Sequence, residues 1–341
     1  DLKRYMDEAV LVSNDSPVLL DRFLNDAIEV DIDLICDGKD VFIGAIMEHI
    51  EEAGIHSGDS GCSIPPYTLS DSILMRLRKQ VRQLALELNV IGLMNTQFAI
   101  KENEIFLLEV NPRASRTAPF VSKAIGIQLA KIGAIVMAGK SLKDLKLTQE
   151  VVPNYFSVKE AVLPFSKFPE VDVLLGPEMK STGEVMGIGK SFGEAYFKAQ
   201  RAAGVILPKT GNVFLSVRDK DKSAICSIAK DLIDIGFNLY ATRGTQKYLE
   251  EKNIGCNKVN KVKEGQPHIV DMIKNGEVHL IINTTEGARS IKDSFSIRKE
   301  ANNNNVCLTT TISGAKAFCK AILFIDNFDA TDIQSRHDTI N

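Results

Sequence analysis

Residues 105–120, IFLLEVNPRASRTAPF, set the terms on which this chain is read. Ile105 to Val110 form an apolar, strand-like run interrupted only by Glu109, and Asn111, Pro112, Arg113 and Arg116 follow within seven positions. A carboxylate, an amide and two guanidiniums are thus delivered to one place at a strand end. The preceding segment, GLMNTQFAI (92–100), reads as the antiparallel partner, joined through a short turn at KENE (101–104). Side chains alternate between the two faces of a strand, so register decides what meets what. A turn loop with an odd number of residues places Gln97 opposite Glu109 and Asn95 opposite Asn111, whereas an even one puts Gln97 and Glu109 on opposite faces. The odd register gathers Gln97, Glu109 and Asn111, three oxygen ligands, at one end of one face. Such a set suits a hard cation such as Mg²⁺, which is usually held by one or two carboxylates together with substrate phosphates. Arg113 and Arg116 then meet those phosphates, because a guanidinium fork matches phosphate oxygens. Any one of these residues alone is better explained by a Glu109–Arg113 ion pair around an ordinary Asn-Pro turn. Their convergence is what points to a site.

The flanking sequence supplies the rest of a scaffold. AIEVDIDLICDGKDVFIGAIMEHI (27–50) alternates apolar and acidic residues and turns at Asp37-Gly38, the pattern of a hairpin. Residues 48–70 are rich in Gly, Ser, His and Pro and read as a loop, in which Gly54 and Gly58 allow a ligand close to the backbone beside His56, Ser57 and Asp59. Glu48, His49 and Glu51 at its entry have metal-ligand chemistry, although a solvated acidic loop explains them as well. SDSILMRLRKQVRQLALELN (70–89) carries a Ser cap and apolar residues at helical spacing. Residues 121–140 read as one helix ending at Gly139, and 153–203, with Pro153, Pro164, Pro169 and Pro177, as irregular.

From about Val205 the rhythm changes. NVFLSV, FNLYAT and HLIINTT read as strands alternating with helices such as DKSAICSIAKDLIDIG and TQKYLEEKN, which implies a parallel sheet with helices on its faces. A domain boundary is placed near 204–212. Polar clusters fall where these strands end: Ser216, Thr242-Arg243-Gly244-Thr245 and Asn283-Thr284-Thr285. Ligands bind at such carboxyl ends in open parallel sheets, and helix N-termini there favour anions. With Lys222 and Lys261 the clusters read as a phosphate or nucleotide pocket, though helix capping explains each cluster singly about as well.

The 341 residues allow two or three domains, and 44% hydrophobic with 25% charged residues is ordinary for a globular chain with a sizeable core. A net charge of −3 gives no bulk electrostatic case for nucleic acid or membrane. The six cysteines are scattered with no CxxC pair and read as reduced core thiols of a cytosolic protein. No apolar run approaches the ~18 residues of a membrane span, and no signal peptide is visible. The chain opens on Asp1 and is soon deep in strand-like sequence, which suggests a piece of something longer.

EVNPRASRTAPFVSKAIGIQLAKIGAIVMAGKSL (109–142) closely resembles the large subunit of carbamoyl-phosphate synthetases, as do EHIEEAGIHSGDSGCSIPPYTLS (48–70), LLGPEMKSTGEVMGIG (174–189) and VNKVKEGQPHI (259–269). The resemblance covers essentially the whole chain and is to the C-terminal part of that subunit. It implies an α/β and α+β protein: residues 1–204 as the latter part of a second ATP-grasp unit, and residues 205–341 as a methylglyoxal-synthase-like allosteric domain with a parallel sheet. The family makes carbamoyl phosphate for arginine and pyrimidine biosynthesis from bicarbonate, two ATP and ammonia, the last released from glutamine by a separate small subunit. This unit is implied to phosphorylate carbamate. Carried over by position, Gln97, Glu109 and Asn111 match Mg²⁺ or Mn²⁺ ligands, and Arg113 and Arg116 match phosphate-contacting arginines. Arg22, Leu24 and Glu29 match positions around base and ribose, and Gly54, Ile55, His56 and Ser57 the loop beside the nucleotide. Lys222, Thr242, Thr245, Lys261, Asn283 and Thr285 fit the effector site for UMP or IMP, and Glu51, Asp59, Glu160 and Thr310 the ornithine site. Two departures stand out: Leu308 where ornithine-responsive members have Tyr, and Ala288 where an Arg is expected near the nucleotide phosphate. A lost guanidinium–phosphate contact costs about 1.5–3 kcal/mol, so weakened nucleotide binding and altered ornithine control are expected. The chain alone is expected to be inactive, and the parent to be an oligomer of heterodimers. A stand-alone regulatory nucleotide-binding module is the alternative.

Overall fold

The computed structural model describes residues 3, 6–8, 11, 20, 22–168, 170–330 and 332–338; Asp1 and Pro169, named above, lie outside them. The chain builds two sheets. The first has seven strands, β1 (Ile28–Asp37), β2 (Val41–Glu52), β3 (Cys62–Ile64), β4 (Ile91–Lys101), β5 (Glu104–Asn111), β6 (Phe156–Val162) and β7 (Gly183–Gly189), in the order β5-β4-β1-β2-β3-β6-β7. Every pairing in it is antiparallel.

The expected hairpin at Asp37-Gly38 forms as β1–β2, and the two faces of β1 explain what covers what. Val30, Ile32, Leu34 and Cys36 point to one side, where the helix Asp71–Glu87 buries Ile73, Leu77 and Val81 against them. Ser70 starts that helix by accepting the Ile73 N–H, as its position suggested. On the other face Ile35 packs under the helices Ala118–Ile125 and Leu129–Met137. Nearer the start of β1 that face carries Glu29, Asp31 and Asp33 instead, all buried.

Three expectations are corrected. Residues 121–140 form two helices, because Gly126 takes a left-handed conformation (φ 72°) that ends the first. Within 48–70 the loop is shorter than expected, since β2 continues to Glu52 and Cys62–Ile64 returns as β3. The stretch 153–203 holds β6, β7 and the helix Phe192–Ala202, with Pro153, Pro164 and Pro177 in its connections. Gly187 on β7 is required there: a Cβ would lie 2.1 Å from the Ala195 carbonyl oxygen of that helix.

The second sheet comprises β8 (Gly211–Ser216), β9 (Phe237–Ala241), β10 (Asn257–Lys258), β11 (Leu280–Asn283) and β12 (Cys307–Thr309), all parallel, in the order β10-β9-β8-β11-β12. Helices cover both of its faces, as the alternating pattern required. The residues between the helix Phe192–Ala202 and β8 form a short connection, yet packing does not stop there. Ile50 and Val158 of the first sheet share one core with Val213 and Leu215 of the second. Stacked rings run through it from Tyr67 to Phe192 (3.9 Å), Tyr196 (5.7 Å) and Phe318 (6.0 Å). Among the described residues no single helix is long and apolar enough to cross a membrane.

Candidate active site and regulatory pocket

The β4–β5 hairpin reaches the expected pairing by a different route. Its turn is even: Lys101 pairs with Glu104 across Glu102 and Asn103, both with positive φ (52° and 66°). A two-residue turn of that shape matches the strand twist, but on its own it sets Gln97 opposite Leu108. A β-bulge corrects this. Phe98 pairs with Leu107 and Gln97 with Glu109, leaving Leu108 as the extra residue. Asn95 then faces Asn111.

Because β1 pairs directly with β4, the register extends across three strands. One row reads Asp31–Gln97–Glu109 and the next Asp33–Asn95–Asn111. Glu109 Oε1 accepts a hydrogen bond from Asn111 Nδ2 at 2.7 Å, so the exposed carboxylate and the amide stand side by side. The rows open into a cleft of about 1550 Å³. Gln97, Glu109, Arg113 and Arg116 line one side, and Arg22, Leu24, Glu29, Gly54, Ile55, His56 and Ser57 the other. The residues carried over for this site from the family resemblance therefore line one cavity, except Asn111, which is not in its lining and joins it through its bond to Glu109. Gly54 adopts φ 104° at its edge and donates its N–H towards Glu29 Oε2 (3.4 Å).

Asp31 was not singled out as a site residue, and His49 was noted only for its metal-ligand chemistry beside Glu48 and Glu51; with Glu29 they form a buried cluster beside the cleft. His49 Nε2 lies 3.4 Å from Asp31 Oδ2, an ion-pair contact that satisfies neither His49 Nε2 nor Asp31 Oδ1 with a hydrogen bond. Burial opposes charge on this imidazole, but Cys62 and the Asp31 carboxylate outweigh it and hold His49 well above its usual range. Burial likewise raises Glu29. His49 thus sits against the carboxyl groups of Asp31 and Glu29. The alternation Glu29-Val30-Asp31-Ile32-Asp33 carried the signal: acids at every second position of a strand share a face.

The second sheet has its own pocket of about 430 Å³ at the carboxyl ends of its strands, lined by Ser216, Arg218, Lys222, Thr242, Thr245, Lys261, Thr284 and Arg289 among others. Four expected effector residues, Lys222, Thr242, Thr245 and Lys261, are present. Asn283 is fully buried behind the pocket, donating to the Ser216 carbonyl and accepting from Arg298. Thr285 is not among the lining residues. Ala288 brings no guanidinium, yet Arg289 one position on does line the pocket.

The acidic residues expected at an ornithine site are largely engaged internally. Glu51 accepts from Gly61 N–H at 2.7 Å, Glu160 from Gln200 Nε2 at 2.8 Å, and Asp59 from Lys180 and Ser181 N–H at 2.8 Å each. Burial, with Glu51 nearby, pushes Glu160 up to about 8. Thr310 lies half-buried just past β12 and carries no hydrogen bond to these groups among the described residues. Leu308 packs on the opposite cluster with Val259 and Ile269.

Two connections join pocket and cleft. Arg218 binds Asp221 (2.7 Å), Asp26 (3.0 Å) and Glu52 (3.2 Å), the last two close in sequence to the cleft-lining Leu24 and Gly54. Arg298, fully buried, holds Asp172 in the β6–β7 loop. That loop also accepts the His56 N–H at Gly176 O (2.8 Å) and lines the cleft through Pro177.

An antiparallel sheet whose strand ends gather carboxylate, amides and arginines in a nucleotide-sized cleft, followed by a parallel-sheet effector-type domain, defines an ATP-grasp unit joined to a methylglyoxal-synthase-like domain. Residues 1–145 match the family described as the ATP-binding domain of the carbamoyl-phosphate synthase L chain, and residues 224–310 the MGS-like domain. The chain is 59% identical over 337 residues to the carbamoyl phosphate synthase large chain of Pseudomonas putida, covering 99% of this chain and 31% of that one. The corresponding chain of Xanthomonas axonopodis is 57% identical over 344 residues, covering 99% and 32%. This chain belongs to the carbamoyl phosphate synthase large-chain family and spans about a third of the length of the relatives it matches. A biotin carboxylase domain of a bacterial single-chain carboxylase is a far more distant likeness (18% identity, TM-score 0.39, 46% of this chain and 36% of that one), too weak to carry an argument.

Proposed function

We propose that the cleft is the carbamate-phosphorylating site of a glutamine-hydrolysing carbamoyl-phosphate synthetase, an ATP-dependent ligase. The observation that carries this reading is the pair of three-strand rows, Asp31–Gln97–Glu109 and Asp33–Asn95–Asn111, of which Asp31, Asn95, Gln97 and Glu109 line one cavity with Arg113 and Arg116. Phosphoryl transfer needs positioning and charge neutralisation more than a protein nucleophile, and these groups supply both. Gln97, Glu109 and Asn111 fit a divalent cation, Mg²⁺ or Mn²⁺, because they present hard oxygen ligands on one face next to two guanidiniums. Such an ion, when bound, neutralises phosphate charge. Arg113 and Arg116 hold the oxygens of the transferred phosphoryl group, and Arg22, Leu24, Glu29 and residues 54–57 hold base and ribose.

In this reading residues 1–204 and 205–341 are separate domains, and the 430 Å³ pocket is the effector site. The parent protein works in the cytoplasm with a small glutamine-amidotransferase subunit, as an oligomer of such heterodimers. Calorimetric titration of UMP, IMP and ornithine tests the effector assignment: weak nucleotide binding and an altered ornithine response are expected, and ordinary micromolar response to all three would sink it.

The central test compares this chain with the full-length parent for ATP·Mg²⁺ binding and for ATP synthesis from ADP and carbamoyl phosphate. Activity in the parent alone supports the assignment. Activity in neither overturns it and leaves the stand-alone nucleotide-binding module, which the family matches over residues 1–145 disfavour.

A further inference from the structure

Between the two rows and the arginine loop lies a carboxylate that no contact to substrate requires. Asp33 is 2% exposed and sits in the middle of β1. Its Oδ1 accepts from Asn95 Nδ2 at 2.9 Å, and its Oδ2 accepts from Thr117 Oγ1 at 2.6 Å. Thr117 itself is 5% exposed and immediately follows Arg116. Ser115 joins the same group: its hydroxyl lies 2.9 Å from Thr117 Oγ1 and accepts the Ala118 N–H at 3.0 Å. A buried carboxylate is costly unless its oxygens are satisfied, and here both are satisfied by donors from two parts of the site that are far apart in sequence. One donor belongs to the strand that presents Gln97. The other belongs to the loop that presents Arg113 and Arg116 and to the start of the helix Ala118–Ile125.

We propose that Asp33 is a positioning residue for phosphoryl transfer, a buried bracket that fixes the Arg113–Thr117 loop at a set distance from the Gln97–Glu109 row. This deepens the assignment of the cleft made above and rests on it for its link to catalysis. Other long-range contacts to the loop are few: Arg113, Ala114 and Arg116 are exposed, Arg116 Nη1 reaches Met179 Sδ (2.6 Å), and among the described residues the Arg113 guanidinium bonds the neighbouring Ala114 carbonyl (3.2 Å). Two arginines that must meet a phosphoryl group opposite a metal site lose their effect when displaced by an ångström, which costs about 10²-fold in rate. Asp33 touches neither arginine, so its effect passes through Thr117 and Ser115.

The test uses Asp33→Asn, Thr117→Val and the double variant. All three keep side-chain volume, and each removes or misorients the Asp33–Thr117 bond. In the full-length protein with its small subunit, kcat for ATP synthesis from ADP and carbamoyl phosphate falls about 10²-fold in each, with KM for ADP unchanged. The double variant is no worse than the poorer single one, and Thr117→Ser restores activity. The non-additivity and the retention of activity by Thr117→Ser show that the two residues act through one bond, and a fall in kcat at unchanged KM in folded protein is what a purely structural role would not produce. A second readout needs no activity. In this chain itself, amide exchange across Ser115–Val121 accelerates roughly tenfold in Asp33→Asn, the equivalent of one hydrogen bond, while the helix Asp71–Glu87 is unaffected. Unchanged exchange in that segment, silent Thr117→Val, or multiplicative losses in the double variant overturns the bracket. Absence of ATP synthesis in the wild-type parent overturns instead the functional assignment, and exchange still decides whether Asp33 holds the loop.

Discussion

Replacing Arg298 with Met tests whether the β6–β7 loop is anchored from the second sheet. Its guanidinium is fully buried on the helix Gly287–Asn303 and donates to both oxygens of Asp172, to Asn283 Oδ1 (3.3 Å) and to the Ile291 carbonyl (2.9 Å). Methionine fills much of the same volume without donors. Breaking a buried pair from one side costs about 3–5 kcal/mol, chiefly through the partner left uncompensated. The Asp172 side chain keeps 27% exposure and regains some water, so the lower end, about 3 kcal/mol, is expected. Arg298→Lys keeps the charge but loses the planar fork and should cost about half as much. Urea unfolding of this chain reads the change as a lower midpoint at constant slope. Trypsin should in parallel cut faster at Lys167 and Lys180, which flank the anchored segment. A loss below about 1 kcal/mol with unchanged digestion would refute the anchor.

Other outcomes follow from the same geometry. Glu160, raised from 4.5 to about 8, stays protonated in the fold over a range where the unfolded chain releases its proton. Stability therefore declines as pH rises from about 4.5 towards 8. Melting temperatures of Glu160→Gln should depend less on pH over that window, and parallel curves would contradict the assignment. Glu48 is buried and accepts from the N–H groups of Tyr67 (2.8 Å), Thr68 (2.9 Å) and Leu69 (3.3 Å) and from the Thr68 hydroxyl. Glu48→Gln replaces one acceptor with a donor and should cost about 2 kcal/mol in chemical denaturation; a neutral effect would mean the loop is held elsewhere. Glu109→Gln should weaken Mn²⁺ binding in the presence of ATP by at least tenfold, read by electron paramagnetic resonance titration of the parent, without altering stability, because Glu109 is exposed.

What the sequence disclosed follows the range of the interactions involved. The β1–β2 hairpin, the capped helix Asp71–Glu87 and the alternation after Val205 are local patterns, and each appears where it was read. Residues 153–203 hid β6 and β7 because four prolines dominate the composition, while β6 depends on pairing with β3, a partner some hundred residues earlier, and β7 in turn on β6. The single helix read over 121–140 failed at Gly126, whose left-handed turn is decided by packing. At the cleft, the metal-and-arginine set was legible because five of its residues fall within Gln97–Arg116. Asp31 and Asp33 were not, since their roles come from pairing β1 between β2 and β4, and His49, noted only for its metal-ligand chemistry, meets Asp31 through the same pairing. The Arg298–Asp172 contact spans 126 positions, and neither residue has a local pattern to mark it.

The extra residue at Leu108 has a bearing on how this hairpin tolerates a deletion. Deleting Leu108 would remove only the bulge: the ladder from the two-residue turn would then run on without interruption and still set Gln97 opposite Glu109. What the deletion would take away is the local bend and added twist that a bulge gives its strand, just where Glu109 enters the cleft.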